Sequence, residues 1–423
     1  MPFNFCCKKT ACLRYLTAVF LLFSPAIVQA QIDLTIENQT FTNSDETWLG
    51  VNVPRSEPTS FIFRNNTVTS SNAFGYLLLA GDETVNGNNN NLDGALITGN
   101  KFIWKGNDMQ SITHAVFTGH NSDVTIKYNY LDQTPMSIIR KSTSNMSNSG
   151  GGVAYNIVKG GAVAVVVKGM SNVNIYNNTF YSDRTTTQTW RPLVHIYTNV
   201  DDGGYSVSHG TKIFNNIFYT KYQTFSITID DLESLNGFQC DYNVYWCETG
   251  EPRFVVNGVV KSFTQWQAMG FDKNSHVFNP KFKDLINFVP AARLDFGRSL
   301  GSEWSTGLAV NARWGSGDPA LATQDDQWQV GAVLYGEHTG NEVNRIFISP
   351  NPARKHINIS NLDYSAGTHK IRIYDLAGKL CFENDLNPGD NNQIQIDLTS
   401  GIYVFQILYK NTSKFAERLI VVE

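Results

Sequence analysis

The sequence predicts an all-β chain, a solenoid of parallel coils followed by a small antiparallel β-sandwich. Three observations carry this. First, an Asn followed two residues later by an apolar or aromatic residue recurs seven times: at Asn66, Asn100, Asn129, Asn156, Asn178, Asn216 and Asn243, with partners Val68, Phe102, Leu131, Val158, Phe180, Phe218 and Tyr245. The spacings run from 22 to 38 residues, as expected for one coil per repeat with loops of different length inserted at fixed corners. Second, from Gln31 to about Glu337 short runs of Val, Ile, Phe, Tyr and Thr alternate with Gly, Asn, Asp and Ser, a pattern of strands and turns. Third, about eighty C-terminal residues hold five or six alternating runs, among them 370–374, 393–398 and 403–409, which suits two packed antiparallel sheets. A buried Asn fits a solenoid corner because its amide both donates and accepts, to backbone and to the Asn one coil above. The competing reading is a plain turn residue at a strand end.

Residues 1–30 read as a secretory signal peptide. Lys8, Lys9 and Arg14 accompany an apolar run from Tyr15 to Val28, and Val28-Gln29-Ala30 forms a small-residue cleavage site. Cys6, Cys7 and Cys12 precede that run and so make no lipid-attachment site, and no later stretch is apolar for long enough to span a membrane. Losing the three positive charges of the leader takes the formal net charge from −4 to about −7, which disfavours nucleic acid. A monomer is expected. Cys240 and Cys247 flank the Asn243 motif; they either close a small disulfide or stay reduced and buried.

The coils are expected over residues 31–250, with polar loops at 86–91 and 142–152. The repeat stops at Pro252. A hairpin follows over 254–260 with an Asn257-Gly258 turn, then a short helix to Met269 opened by a Ser262–Gln265 capping box, then irregular strands ending at Ala332. Residues 251–340 are therefore expected to cover the open apolar end of the solenoid.

The last unit, residues 343–423, carries Pro350-Asn351-Pro352, Tyr374-Asp375-Leu376-Ala377-Gly378-Lys379, Leu398-Thr399-Ser400-Gly401-Ile402-Tyr403-Val404 and the ending Arg418-Leu419-Ile420-Val421-Val422-Glu423. In that order these motifs resemble the C-terminal sorting domain of type IX secretion substrates of Bacteroidetes-type bacteria. The resemblance implies export across the outer membrane, a contact with that machinery, and residence outside the cell or on its surface. It implies no chemistry for this unit. Over residues 33–250 the coils resemble right-handed parallel β-helix proteins, the group that includes pectate lyases, alginate lyases and chondroitinase B-type lyases. That scaffold also carries polygalacturonases, epimerases, binding proteins and adhesins, so the resemblance points to the architecture more than to a reaction.

Stacked coils lie about 4.8 Å apart, which makes equal positions in successive coils neighbours. One strand of each coil, aligned by its apolar run and the polar stop after it, gives a column Ala80, Thr118, Arg140, Lys168, Thr198, Asp230, in register to about one residue. Two adjacent cations repel, but paired with an anionic sugar they make sense. β-Elimination from a uronate needs a group that neutralises the carboxylate, one that removes the C5 proton and one that protonates the leaving oxygen. The expected roles are Lys168 as base and Arg140 as bidentate carboxylate clamp or acid, with Lys141 as substitute for either. The resemblance to the lyases implies the same, since a Lys/Arg pair on the helix face does this work there, often with Ca²⁺ bridging the carboxylate.

His195 and Tyr197 lie on one face of the next strand and are candidates for acid–base work. Trp190, Arg191, His120 and Asn199 are candidates for holding sugar. Asp201, Asp202, Asp230 and Asp231 are candidate Ca²⁺ ligands, with Asx-type turn caps as the other reading. The stretch from Asn199 to Ile213 superficially resembles polygalacturonase motifs, but acids this close in sequence do not flank a glycosidic bond with room for water. The expected function is therefore a lyase acting on an anionic, uronate-containing polysaccharide. The alternatives are a non-catalytic glycan-binding or adhesive protein and a uronate epimerase.

Overall fold

Three parallel sheets wind around one apolar core. The computed structural model describes residues 32–43, 49–51, 59–71, 75–81, 92–106, 113–119, 121–142, 150–184, 189, 191–200, 205–315, 317–336, 347–349, 353, 355–360, 367–387, 393–409 and 412–421. The predicted leader and Pro350–Pro352 lie outside them. The first sheet runs in unbroken sequence order from Ile32–Glu37 to Gln239–Asp241, and the second from Thr40–Asn43 to His276–Val277. The third runs from Leu49–Val51 to Arg253–Val256 and ends on an antiparallel strand, Val259–Ser262. Each coil contributes one strand to each sheet, and neighbouring coils pair in parallel. The chain is a parallel β-helix.

The repeated Asn marks the corner between the first and second sheets. The residue before it is left-handed in coil after coil, with φ of 58° at Asn65, 60° at Tyr128, 54° at Tyr155, 51° at Asn177, 60° at Asn215 and 58° at Tyr242. That single αL residue turns the chain from one sheet into the next. The Asn side chains then form a ladder. Asn156 donates its backbone N–H (3.0 Å) and its Nδ2 (3.0 Å) to Asn178 Oδ1, and its own Oδ1 accepts the same pair from Asn129. Nδ2 also donates to Ile126 O of the coil before, at 2.9 Å. Every amide group of the ladder is thereby used, which is what permits full burial of a polar residue. Two residues on, Val68, Phe102, Leu131, Val158, Phe180, Phe218 and Tyr245 stack in register within the core.

The segment predicted as an end cap does two jobs. Its first part closes the C-terminal end: Trp266 is fully buried and stacks on Phe254 at 4.7 Å and 7° between planes. The Ser262–Gln265 capping box is present, and Asn257 and Gly258 form the positive-φ turn before it. Asp272 finishes the Asn ladder from inside the cap. It is buried and accepts from Asn243 Nδ2 (3.0 Å), Tyr245 Oη (2.9 Å), Trp266 Nε1 (2.6 Å) and Cys240 Sγ (3.1 Å). Cys240 and Cys247 are not bonded to each other, and burial beside Asp272 pushes the Cys240 thiol well above its ordinary value.

Beyond His276–Val277, which add the last strand of the second sheet, the remainder to residue 335 does not cap the end. It runs back along the outside of the Asn corner as a strap, held by the residues that make the bends. Asn65 Nδ2 donates to Asp318 Oδ1 (2.7 Å), Tyr128 Oη to Thr306 O (2.8 Å), Tyr155 Oη to Trp304 O (2.5 Å), Asn177 Nδ2 to Gln329 O (2.8 Å) and Asn215 Nδ2 to Arg298 O (2.9 Å). A second apolar core lies between, with Tyr155, Ile217, Leu308, Ala322, Val330 and Leu334.

The chain divides into two compact units between Thr339 and Gly340. The second is a sandwich of a three-stranded and a four-stranded antiparallel sheet. Strict alternation along His369–Tyr374 turns His369, Ile371 and Ile373 inward onto Phe405, Ile407 and Leu419.

Candidate functional site

The third sheet carries the candidate residues, and its register differs from the expected column by one residue. Gly119, Lys141, Lys168 and Tyr197 are aligned, while Arg140 aligns with Thr118 and Val167. A one-residue slip moves a side chain to the opposite face of the sheet. Lys141 therefore replaces Arg140 as the neighbour of Lys168.

Arg140 points into the coil and is fully buried. Its Nη1 donates to Val124 O (2.8 Å) and Gly150 O (3.0 Å), and Nη2 to Asn121 O (3.4 Å), while Nε has no partner. Burial lowers its guanidinium to about 10, with Asp123 acting in the opposite direction. The predicted clamp is thus a staple that ties the turn around Asn121 and Val124 to Gly150. It has no access to a substrate carboxylate. Gly151 is tied to the same place: a Cβ there would lie 2.5 Å from Arg140 Nη1, at φ +76°.

The outward row is made by successive coils. Lys168 Nζ lies 5.6 Å from the centre of the Tyr197 ring, and that ring lies 4.5 Å from the His195 imidazole. His195 Nε2 is 2.8 Å from Asp230 Oδ2 of the following coil. The His195 side chain is 8% exposed and that of Asp230 47%, so the pair reaches from a packed face to solvent. Lys141 is buried, and Lys168 and Tyr197 are half-buried. Towards the first coils the same outer face becomes aromatic and apolar, with His114 stacked on Tyr76 at 5.3 Å beside Phe117 and Ile139.

The remaining candidates separate. Arg191 is buried and precedes the strand Val194–Tyr197 by three residues. Asn199 is fully buried, its Nδ2 donating to Ser142 O at 2.6 Å. Asp231 is a turn cap whose Oδ2 accepts from Thr198 N (2.8 Å) and Oδ1 from Ser234 N (2.8 Å). Asp230 is engaged by His195, and among the described residues no three His, Cys, Asp or Glu side chains converge. His120, Trp190, Asp201 and Asp202 lie outside the described residues.

The His195–Asp230 pair is the feature that residue patterns alone missed. The signal was present, because aligning Ile196 with Ile229 brings the residue after Ile229 to the row of Tyr197. Arg184 was also overlooked. It donates to the carbonyls of Gly160 and Gln133 and lies 6.0 Å from the Trp104 ring, a second buried cation serving a corner.

Residues 347–422 match the family described as the secretion system C-terminal sorting domain. The C-terminal sandwich is thus a sorting unit, which directs the chain through type IX secretion to the cell surface or beyond it. It also implies contact with that secretion machinery. No curated protein and no solved structure matches the chain.

Proposed function

We propose that this exported β-helix is a polysaccharide lyase acting on a uronate-containing glycan, with its site on the outer row Lys141, Lys168, Tyr197 and His195. The observation that carries the reading is the alignment of Lys141, Lys168 and Tyr197 in three successive coils. Two cations one coil apart, with a tyrosine and a histidine beside them, are the groups that β-elimination requires. With Arg140 inside the coil, Lys168, backed by Lys141, takes the neutralisation of the uronate carboxylate. His195 then removes the C5 proton, and the electron pair forms the C4–C5 double bond as the C4–O bond breaks. Tyr197 donates its proton to the departing oxygen. The atoms balance without an oxidant or reductant.

The test is ultraviolet absorbance of the unsaturated uronate, with the secreted protein on a panel of uronate polysaccharides, with and without Ca²⁺. A rise on one glycan, lowered at least about a hundredfold by Lys168→Ala and by His195→Ala, is expected. Retention on an immobilised glycan with no absorbance on any substrate would instead favour a binding protein.

A further inference from the structure

The pairing of His195 with Asp230 has a consequence for which nitrogen of the imidazole can act. A neutral imidazole carries one N–H, and the hydrogen bond made by one nitrogen sets the role of the other. Asp230 approaches Nε2 at 2.8 Å, and an ionised carboxylate only accepts, so Nε2 must be the protonated nitrogen. Nδ1 then bears the lone pair. It makes no hydrogen bond within the described residues and is not one of the buried unpartnered atoms, so it faces space that water or a ligand reaches.

We propose that Asp230 is a positioning residue that holds His195 as its Nε2–H tautomer and thereby makes Nδ1 the proton acceptor of the site. The inference rests on the lyase reading for its chemical purpose, though not for its geometry. Asp230 is placed for this by its own coil: its backbone N–H donates to Ile196 O at 3.1 Å, which locks it beside the His195 strand. Its neighbour Asp231 is occupied with the backbone at Thr198 and Ser234 and does not compete for the ring. The groups that face the imidazole are Asp230 from the following coil, Tyr197 on its own strand and, beyond that ring, Lys168 from the preceding coil. Val166 and Thr228, its direct partners on the two sides, are uncharged. Asp230 is thus the anion in contact with the ring, and it does not need to accept the proton itself. Its work is to orient the ring and to stabilise the imidazolium after transfer.

The experiment reads the tautomer directly, from long-range ¹H–¹⁵N spectra of the labelled, secreted protein, with His195 assigned by its loss in His195→Gln. In its neutral form the wild-type ring is expected to show a protonated Nε2 and an unprotonated Nδ1. Asp230→Asn offers an amide N–H to Nε2, so its ring is expected to move to the Nδ1–H form; Asp230→Glu is expected to keep the wild-type form. An Nδ1–H tautomer in the wild type, or identical ring spectra in wild type and Asp230→Asn, would overturn the proposal. If Asp230→Asn does not fold, the wild-type and Asp230→Glu spectra decide it. On the glycan that gives absorbance, Asp230→Asn is expected to lose about a hundredfold in kcat with KM within about twofold, and Asp230→Glu to recover most of it. Wild-type spectra of the expected form with no absorbance on any uronate glycan would leave the positioning role standing and remove the lyase reading.

Discussion

Asn156 sits mid-ladder with its backbone N–H, Nδ2 and Oδ1 all engaged. Asn156→Ala strands the groups of Asn129 and Ile126 that it served, and the cost of unmet buried hydrogen bonds puts the loss at about 2–4 kcal/mol. The urea midpoint of the variant measures it. Arg140→Ala should behave as a stability variant too, uncovering the carbonyls of Val124 and Gly150 at about 3 kcal/mol or more, readable as a fall in Tm with or without glycan. His114 offers a pH test. Burial in the Tyr76–Phe117 cluster lowers its imidazole from 6.5 to about 4, opposed by the Gly75 carbonyl and helped by Lys141. Between pH 6.5 and 4 the unfolded chain binds a proton that the folded chain refuses, so stability is full above that window and falls as pH falls through it. The loss is at most ~3 kcal/mol. Comparing urea midpoints at pH 7 and 4.5, His114→Phe should show a smaller drop than the wild type. The ladder asparagines were legible in the sequence because each repeats with a fixed apolar partner. The orientation of Arg140 was not, because the polar stops that aligned the strands differ by one residue between its coil and the next.

The two halves of the predicted cap differ in what they touch. The hairpin and its helix shield the last coil through Trp266 and Phe254, so Trp266→Ala should cost about 3–5 kcal/mol. It should also expose the end of the solenoid to association, visible as a larger species in size-exclusion chromatography. The capping box, the Asn257-Gly258 turn and the short helix were all readable locally, since turn and cap chemistry depends on neighbours in sequence. The strap was not. Residues 276–335 have no periodicity that names their partner, and that partner is a row of corner residues up to 253 positions away in sequence, as in Asn65–Asp318. The rule that bulky residues avoid αL argues against Tyr128 and Tyr155 at bends. Their hydroxyls explain them, since each bonds the strap.

Across the whole molecule, function divides between a β-helix that carries the candidate site and a sandwich that carries the address. Removing residues 340–423 should leave the β-helix folded, with an unchanged urea midpoint, because each unit has its own core. The truncated protein should be retained inside the cell envelope rather than reach the surface, which surface proteolysis of intact cells would register. The corner asparagines, the closing hairpin and helix, and the sorting unit were legible from the residues alone, although the seven asparagines fall one short of the eight coils of the first sheet. Each of these is written in spacing or in neighbouring residues. Which side chains of the third sheet face out depends on how the coils pack. Near the start of its strands two consecutive residues face inward, as in Leu77–Leu78, Ala164–Val165 and Leu193–Val194, before alternation resumes. That break in period two sends Arg140 into the core, leaves Lys141, Lys168 and Tyr197 in one outward row, and brings His195 to Asp230.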